Sequence, residues 1–222
     1  MIDYYKISLE MLIQLLHGEG YENWEKWLSE DIRLWETEKS TEHHLGAYGG
    51  MGSFNDVPMG TNDTTGIWKR KLFGTVQTLA YNFAKGNIST VPLDETFYGY
   101  DSKEISGWRC RDCGEAKIKK RNIEIYVSSV FLPKFFVEYI KKDKLIEILD
   151  LEKVINSEEI IQKRKDIETL VQNSEIELSD SAEWLWTCPT CKSNETCNYR
   201  WILTENDTKV IEADDNLEMN IK

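Results

Sequence analysis

The chain has 222 residues, with 27 Lys or Arg against 39 Asp or Glu, so its net charge is −12. Apolar residues make up 41% and aromatic residues 11%, including eight tryptophans, which is more apolar material than a disordered chain carries. That length suits one large core or two small ones, and the acidic balance argues against a general electrostatic binder of nucleic acid.

The spacing of Leu9, Leu12, Ile13, Leu15 and Leu16 predicts a helix over about Ser8–His17, stopped by Gly18 and Gly20. His17 then falls at the helix C-terminus, where a positive charge suits the dipole. A second helix is expected from near Tyr21, with Trp24, Trp27, Leu28, Ile32 and Trp35 on one face. Its carboxylates, Glu22, Glu25, Glu30, Asp31, Glu36 and Glu38, are expected on the solvated face. The glycine-rich stretch 36–62 reads as loop, and a third helix is expected over about Thr64–Ala84, with Ile67, the Lys71 stem, Val76, Leu79 and Phe83 turned inward.

Beyond a junction near Gly86–Gly107, residues 95–108 read as a strand, and so does Ile123–Phe131, which is rich in β-branched and aromatic side chains. After Pro133 the periodicity turns helical through Phe136, Ile140, Leu145, Ile148, Val154, Ile160, Ile167 and Val171. Residues 181–187 and Tyr199–Leu203 read as strands, and 205–222 as a solvated acidic tail. No run of eighteen apolar residues is present, and Met1–Lys6 lacks the basic-then-apolar pattern of a secretory signal. A cytoplasmic protein without membrane contact is expected.

The five cysteines are Cys110, Cys113, Cys188, Cys191 and Cys197. Two C-x-x-C pairs let two tight turns aim four thiolates at one ion, which points to structural Zn2+ with no position left for catalytic water. Gly114 and Pro189 suit such turns, and Trp108 and Trp186 each precede their first cysteine by two residues. The pattern resembles a zinc ribbon. It departs from a compact ribbon in the 74 residues between the pairs, which are read as a helical insertion. Redox-active C-x-x-C is the rival reading. Cys197 is expected as a buried thiol outside the ligand set.

Two further stretches are candidate sites. His44, Gly49, Gly50, Gly52, Ser53, Asn55 and Asp56 are a possible ligand or partner loop, since such glycines allow positive φ and close backbone approach. The Walker and dinucleotide patterns are missing, and a structural loop fixed by Tyr48 and Phe54 is the plainer alternative. Ser53, His44 and Asp56 supply the residue types of a nucleophilic triad, but one thirteen-residue loop cannot orient all three without unusual geometry. Arg109, Arg111, Lys119, Lys120 and Arg121, with Lys117, face only Asp112 and Glu115, a local charge of +4 on the first cysteine hairpin. These are possible nucleic-acid contacts with Trp108 as a stacking platform, or partners of acidic groups in the insertion.

The segment Ala47-Tyr48-Gly49-Gly50-Met51-Gly52-Ser53-Phe54-Asn55-Asp56, between a Trp-rich helix and another helix, resembles a bacterial domain family of unknown function with a Gly-Gly-Met-Gly-Ser-Phe/Leu-Asn-Asp hallmark. The likeness covers about Leu9–Lys85 and implies a small, largely helical domain without an activity to carry over. The expected architecture is α+β: a helical domain over 1–95, a four-cysteine zinc ribbon over 96–204 with an insertion at about 133–178, and the tail. The expected function is a non-enzymatic protein-interaction module, such as an immunity protein or inhibitor, that meets a basic protein. The alternatives are a nucleic-acid-associated regulator and a binder of a phosphorylated ligand.

Overall fold

A computed structural model describes residues 3–86, 104–180, 187–203 and 208–209. The chain divides into two compact units, Met1–Gly99 with Phe131–Ile155, and Tyr100–Val130 with Asn156–Lys222.

The first unit is helical. α1 (Tyr4–Leu16) starts at Asp3, whose Oδ1 accepts from Lys6 N at 3.0 Å, and ends ahead of Gly18 and Gly20, both at positive φ. Asp3 also accepts from Trp35 Nε1 at 2.6 Å, which ties the start of α1 to α2 (Glu22–Glu38). α3 (Glu42–Leu45) and a 3-10 turn (Phe54–Asp56) flank the glycine loop. α4 (Thr64–Ala84) has the bounds read from sequence and is capped by Asp63, which accepts from Gly66 N at 2.7 Å. Leu9, Leu12, Leu16, Trp68, Leu72 and Leu79 are fully buried where α1 packs on α4. The tryptophans of α2 are half-buried; its inward positions are Leu28 and, contrary to expectation, Asp31.

The second unit holds a sheet in the order β3-β2-β1-β4-β5, from β1 (Glu104–Cys110), β2 (Ala116–Lys119), β3 (Glu177–Ser179), β4 (Thr196–Leu203) and β5 (Thr208–Lys209). β1 pairs antiparallel with β2 and β4, whereas β2 and β3 run parallel, as strands joined through helices can. Gly107 lies between Ile118 and Tyr199 in the register; a Cβ there would fall 2.3 Å from the Lys117 carbonyl and 2.5 Å from the Trp201 ring.

Residues 123–131 are not a strand. They belong to α5 (Lys120–Lys141), which runs through Pro133 rather than starting after it. Ile123, Tyr126, Val127 and Phe131 are buried at steps of three and four, so packing of a helical stripe outweighs their β propensity. Glu124, only 6% exposed, is held by both Arg164 Nε (2.8 Å) and Nη2 (2.9 Å) from α7 (Glu158–Asn173). The expected insertion is split: a 3-10 turn (Leu145–Leu149) packs on α1 and α6 (Leu151–Ile155) on α4, both in the first unit, while α7 packs beside β3 in the second. Residues 87–103 of the expected junction and 181–186 of the expected strand 181–187, Trp186 among them, lie outside the described residues. So does the tail, apart from Thr208 and Lys209, which pair with β4.

Candidate metal centre and buried histidine cluster

The end of β1 and the turn before β4 bring Cys110, Cys113, Cys188 and Cys191 together, with their four Sγ atoms all within 4.8 Å of one another. The nearest pairs cross between the turns, Cys110–Cys191 at 3.5 Å and Cys113–Cys188 at 3.6 Å. A disulfide needs about 2.05 Å, whereas a tetrahedral ion about 2.3 Å from each sulfur spaces them by about 3.8 Å. The spacing therefore fits four thiolates around one metal ion.

The two turns are built alike. Gly114 N donates to Cys110 O and Lys192 N to Cys188 O, each at 3.0 Å. Cys110 N donates to Glu115 O at 2.8 Å and Cys188 N to Ser193 O at 2.7 Å. Cys110 Sγ receives the N–H groups of Asp112 and Cys113, and Cys188 Sγ those of Thr190 and Cys191. Each turn closes on a left-handed residue, Gly114 at φ +79° and Lys192 at φ +63°. Glycine marked the first in the sequence; the second had no such signal.

The cysteines are not electrostatically equivalent. The Cys113 N–H chiefly draws the Cys110 thiol down to about 7, while burial pushes Cys188 up to about 12. Cys188 Sγ donates to Glu115 Oε2 at 3.2 Å, and Lys117 lies 3.3 Å from the other Glu115 oxygen. Cys197 is half-buried on β4, with Sγ directed at Arg109 O at 3.6 Å, and is not in the cluster.

Trp108 is not the stacking platform that the nucleic-acid alternative requires. Trp108 is 7% exposed and packs against Cys110 and Cys188, so its ring cannot take a base. Lys117 pairs with Glu177 at 2.9 Å and with Glu115 at 3.3 Å, and Lys120 with Asp180 at 2.9 Å, so these two lysines meet acidic groups beside β2 and on and after β3. Arg109 and Lys119 are half-buried, while Arg111 and Arg121 are exposed.

The first unit holds a second cluster. Asp31, 1% exposed, accepts from His43 Nδ1 at 2.5 Å and from His44 Nδ1 at 2.9 Å. With Nδ1 turned to the carboxylate, the other ring nitrogen of His44, Nε2, lies 3.2 Å from the Tyr48 hydroxyl. His43 stacks on Trp27 at 4.2 Å, and the Tyr5 ring meets His44 edge-on. Burial, with Asp31 among the nearby charges, raises the Tyr5 and Tyr48 hydroxyls well above their ordinary range. Asp31 sits at +3 from Leu28 and −4 from Trp35, which places it in the tryptophan stripe. That spacing was the available signal.

Above the cluster, Gly49, Gly50 and Gly52 all take positive φ and lift Met51 to full exposure. Phe54 is fully buried beneath, edge-on to Tyr48 and Phe73. Asp56 Oδ2 accepts from Gly52 N at 2.9 Å, so a carboxylate already takes one amide that a phosphate would need. His44 is turned into the interior, fully buried, and does not join Ser53 and Asp56 in a triad.

Residues 17–67 match a family described as a domain of unknown function, DUF6966. The matched segment contains Asp31, His43, His44 and the glycine loop; all four clustered cysteines lie outside it. Comparison with curated proteins and with solved structures returned no match. No helix among the described residues is long and apolar enough to cross a membrane.

Proposed function

We propose that this chain is a non-enzymatic protein-interaction module, stabilised by a structural Zn2+ on Cys110, Cys113, Cys188 and Cys191, that binds and inhibits a basic protein in the manner of a bacterial immunity protein. Met51 carries this reading: its side chain is 103% exposed at the tip of a turn made by three left-handed glycines. An apolar side chain held out in this way is suited to entering a partner's pocket. The rigid base of buried Phe54 and the Asp31–His44–Tyr48 chain supports the tip, and a net charge of −12 favours capture of a basic partner by electrostatic steering. Zinc suits an all-sulfur set, and the neighbouring basic residues offset the double negative charge of a tetrathiolate centre.

The test is retention of the full chain on a panel of immobilised small basic nucleases at low and high salt. At least one is held at low salt, is inhibited, and loses about tenfold in affinity on Met51→Asp with no change in Tm. Absence of retention, or indifference to Met51→Asp, refutes the reading.

A further inference from the structure

Each of the two short sulfur contacts joins one cysteine turn to the other, and one sheltered cysteine to one open to solvent. Buried Cys110 lies 3.5 Å from exposed Cys191, and exposed Cys113 lies 3.6 Å from buried Cys188. The backbone holds these partners together as well. β1 and β4 pair through Cys110 and Thr196, and one step further Arg111 N donates to Glu195 O at 2.8 Å. The two turns are therefore fixed side by side by the sheet that ends at them.

We propose that the centre is an oxidation site for hydrogen peroxide, where the four thiolates close into two crossed disulfides, Cys110–Cys191 and Cys113–Cys188, that keep the turns joined when the metal ion leaves. This rests on the four-thiolate reading above and gives that centre a second covalent state. Peroxide is attacked by thiolates rather than thiols, and metal ligation keeps all four cysteines deprotonated. In each pair the sulfur of the exposed cysteine reacts first: an S–O bond forms, the peroxide O–O bond breaks, and hydroxide leaves. The buried thiolate then attacks that sulfenic acid. The S–S bond forms, the S–O bond breaks, and a second hydroxide leaves. Four thiolates give up four electrons, two peroxide molecules take them and become four hydroxides, and the metal ion departs with its charge unchanged.

Geometry selects this pairing. From 3.5 and 3.6 Å the crossed pairs need about 1.5 Å of closure to reach an S–S bond of about 2.05 Å. Joining Cys110 to Cys188 would pair the two buried sulfurs, which meet the oxidant last. Cys197 stands outside the exchange: it pairs with Arg109 in the register, so its side chain takes the sheet face opposite that of Cys110. The crossed bonds close spans of 81 and 75 residues, and so hold β1 to the turn before β4. Bonds within each C-x-x-C would leave the turns free to part.

The test uses the full chain loaded with zinc. Hydrogen peroxide is added at about two molecules per chain, free thiols are blocked with iodoacetamide, and a tryptic digest is mapped without reduction. Trypsin cuts after Arg109, Arg111 and Lys117, which puts Cys110 and Cys113 on different peptides; tandem fragmentation at Pro189 and Thr190 separates Cys188 from Cys191. The expected map holds Cys110–Cys191 and Cys113–Cys188, with Cys197 alkylated, and Cys197→Ser leaves it unchanged. Zinc appears in solution in step with the bridges. Amide protection in β1 and β4 then survives a chelator that removes it from the reduced chain, and dithiothreitol restores the sensitivity. Bridges within a turn, a bridge to Cys197, four thiols still alkylated, sulfinic acid without bridges, or protection lost to the chelator after oxidation would each overturn the proposal. A chain that carries no zinc is mapped in the same way at about pH 8.5, where free thiols ionise, so metal identity and pairing fail separately.

Discussion

Replacing Asp31 by alanine tests whether the buried cluster holds the first unit together. Asp31 Oδ1 and Oδ2 accept from His43 and His44 at 2.5 and 2.9 Å, and the Asp31 and His44 side chains are both 0% exposed. Hydrogen bonds to a charged group contribute about 1.5–3 kcal/mol each. Asp31→Ala removes both and leaves the His44 Nδ1–H buried without an acceptor. His43 is 33% exposed and can turn to water, so its share lies at the low end. The expected cost is about 3–5 kcal/mol, the sum of the two bonds with the burial of an unsatisfied Nδ1–H. Asp31→Asn keeps the shape and one acceptor and should cost about 1–2 kcal/mol. Urea unfolding followed by tryptophan fluorescence reads both, because Trp27 stacks on His43. Combining Asp31→Ala with His44→Ala should show a coupling of at least about 1 kcal/mol, since each single change removes the same bond. A cost below about 1 kcal/mol for Asp31→Ala, or additive effects in the cycle, would refute the assignment.

Three further outcomes follow from the second unit. Elemental analysis should find one zinc per chain, lost in Cys110→Ser or Cys188→Ser; a chelator should abolish amide protection in β1 and β4, because structural zinc contributes about 10–16 kcal/mol in finger peptides. Gly107→Ala drives a Cβ to 2.3 Å from the Lys117 carbonyl and 2.5 Å from Trp201, and should cost about 2–3 kcal/mol by thermal unfolding. Gly114→Ala and Lys192→Gly should move stability in opposite directions by up to about 1 kcal/mol, measured on the metal-loaded chain, because both positions are left-handed at φ +79° and +63°.

Much of the fold was legible in the sequence. α4 has its expected bounds because an Asp cap, a regular apolar stripe and a terminating Gly86 all act locally. The four cysteines were legible because C-x-x-C fixes both sulfurs of a turn within four residues, whatever surrounds it. Residues 123–131 were not, since their β-branched side chains fit a strand or a buried helix equally, and only the burial of Ile123, Val127 and Phe131 on one helical face separates the two.

Local chemistry thus determined the capped helices, the left-handed glycine turn and the two cysteine turns, each a matter of neighbours a few residues apart. Tertiary structure decided that Asp31 faces inward to two imidazoles, that Trp108 covers the cysteine centre and that Phe54 beneath the Met51 loop meets Phe73 of α4. Each of those depends on groups distant in sequence, whose meeting is set by which apolar faces bury one another, and no local preference encodes that outcome.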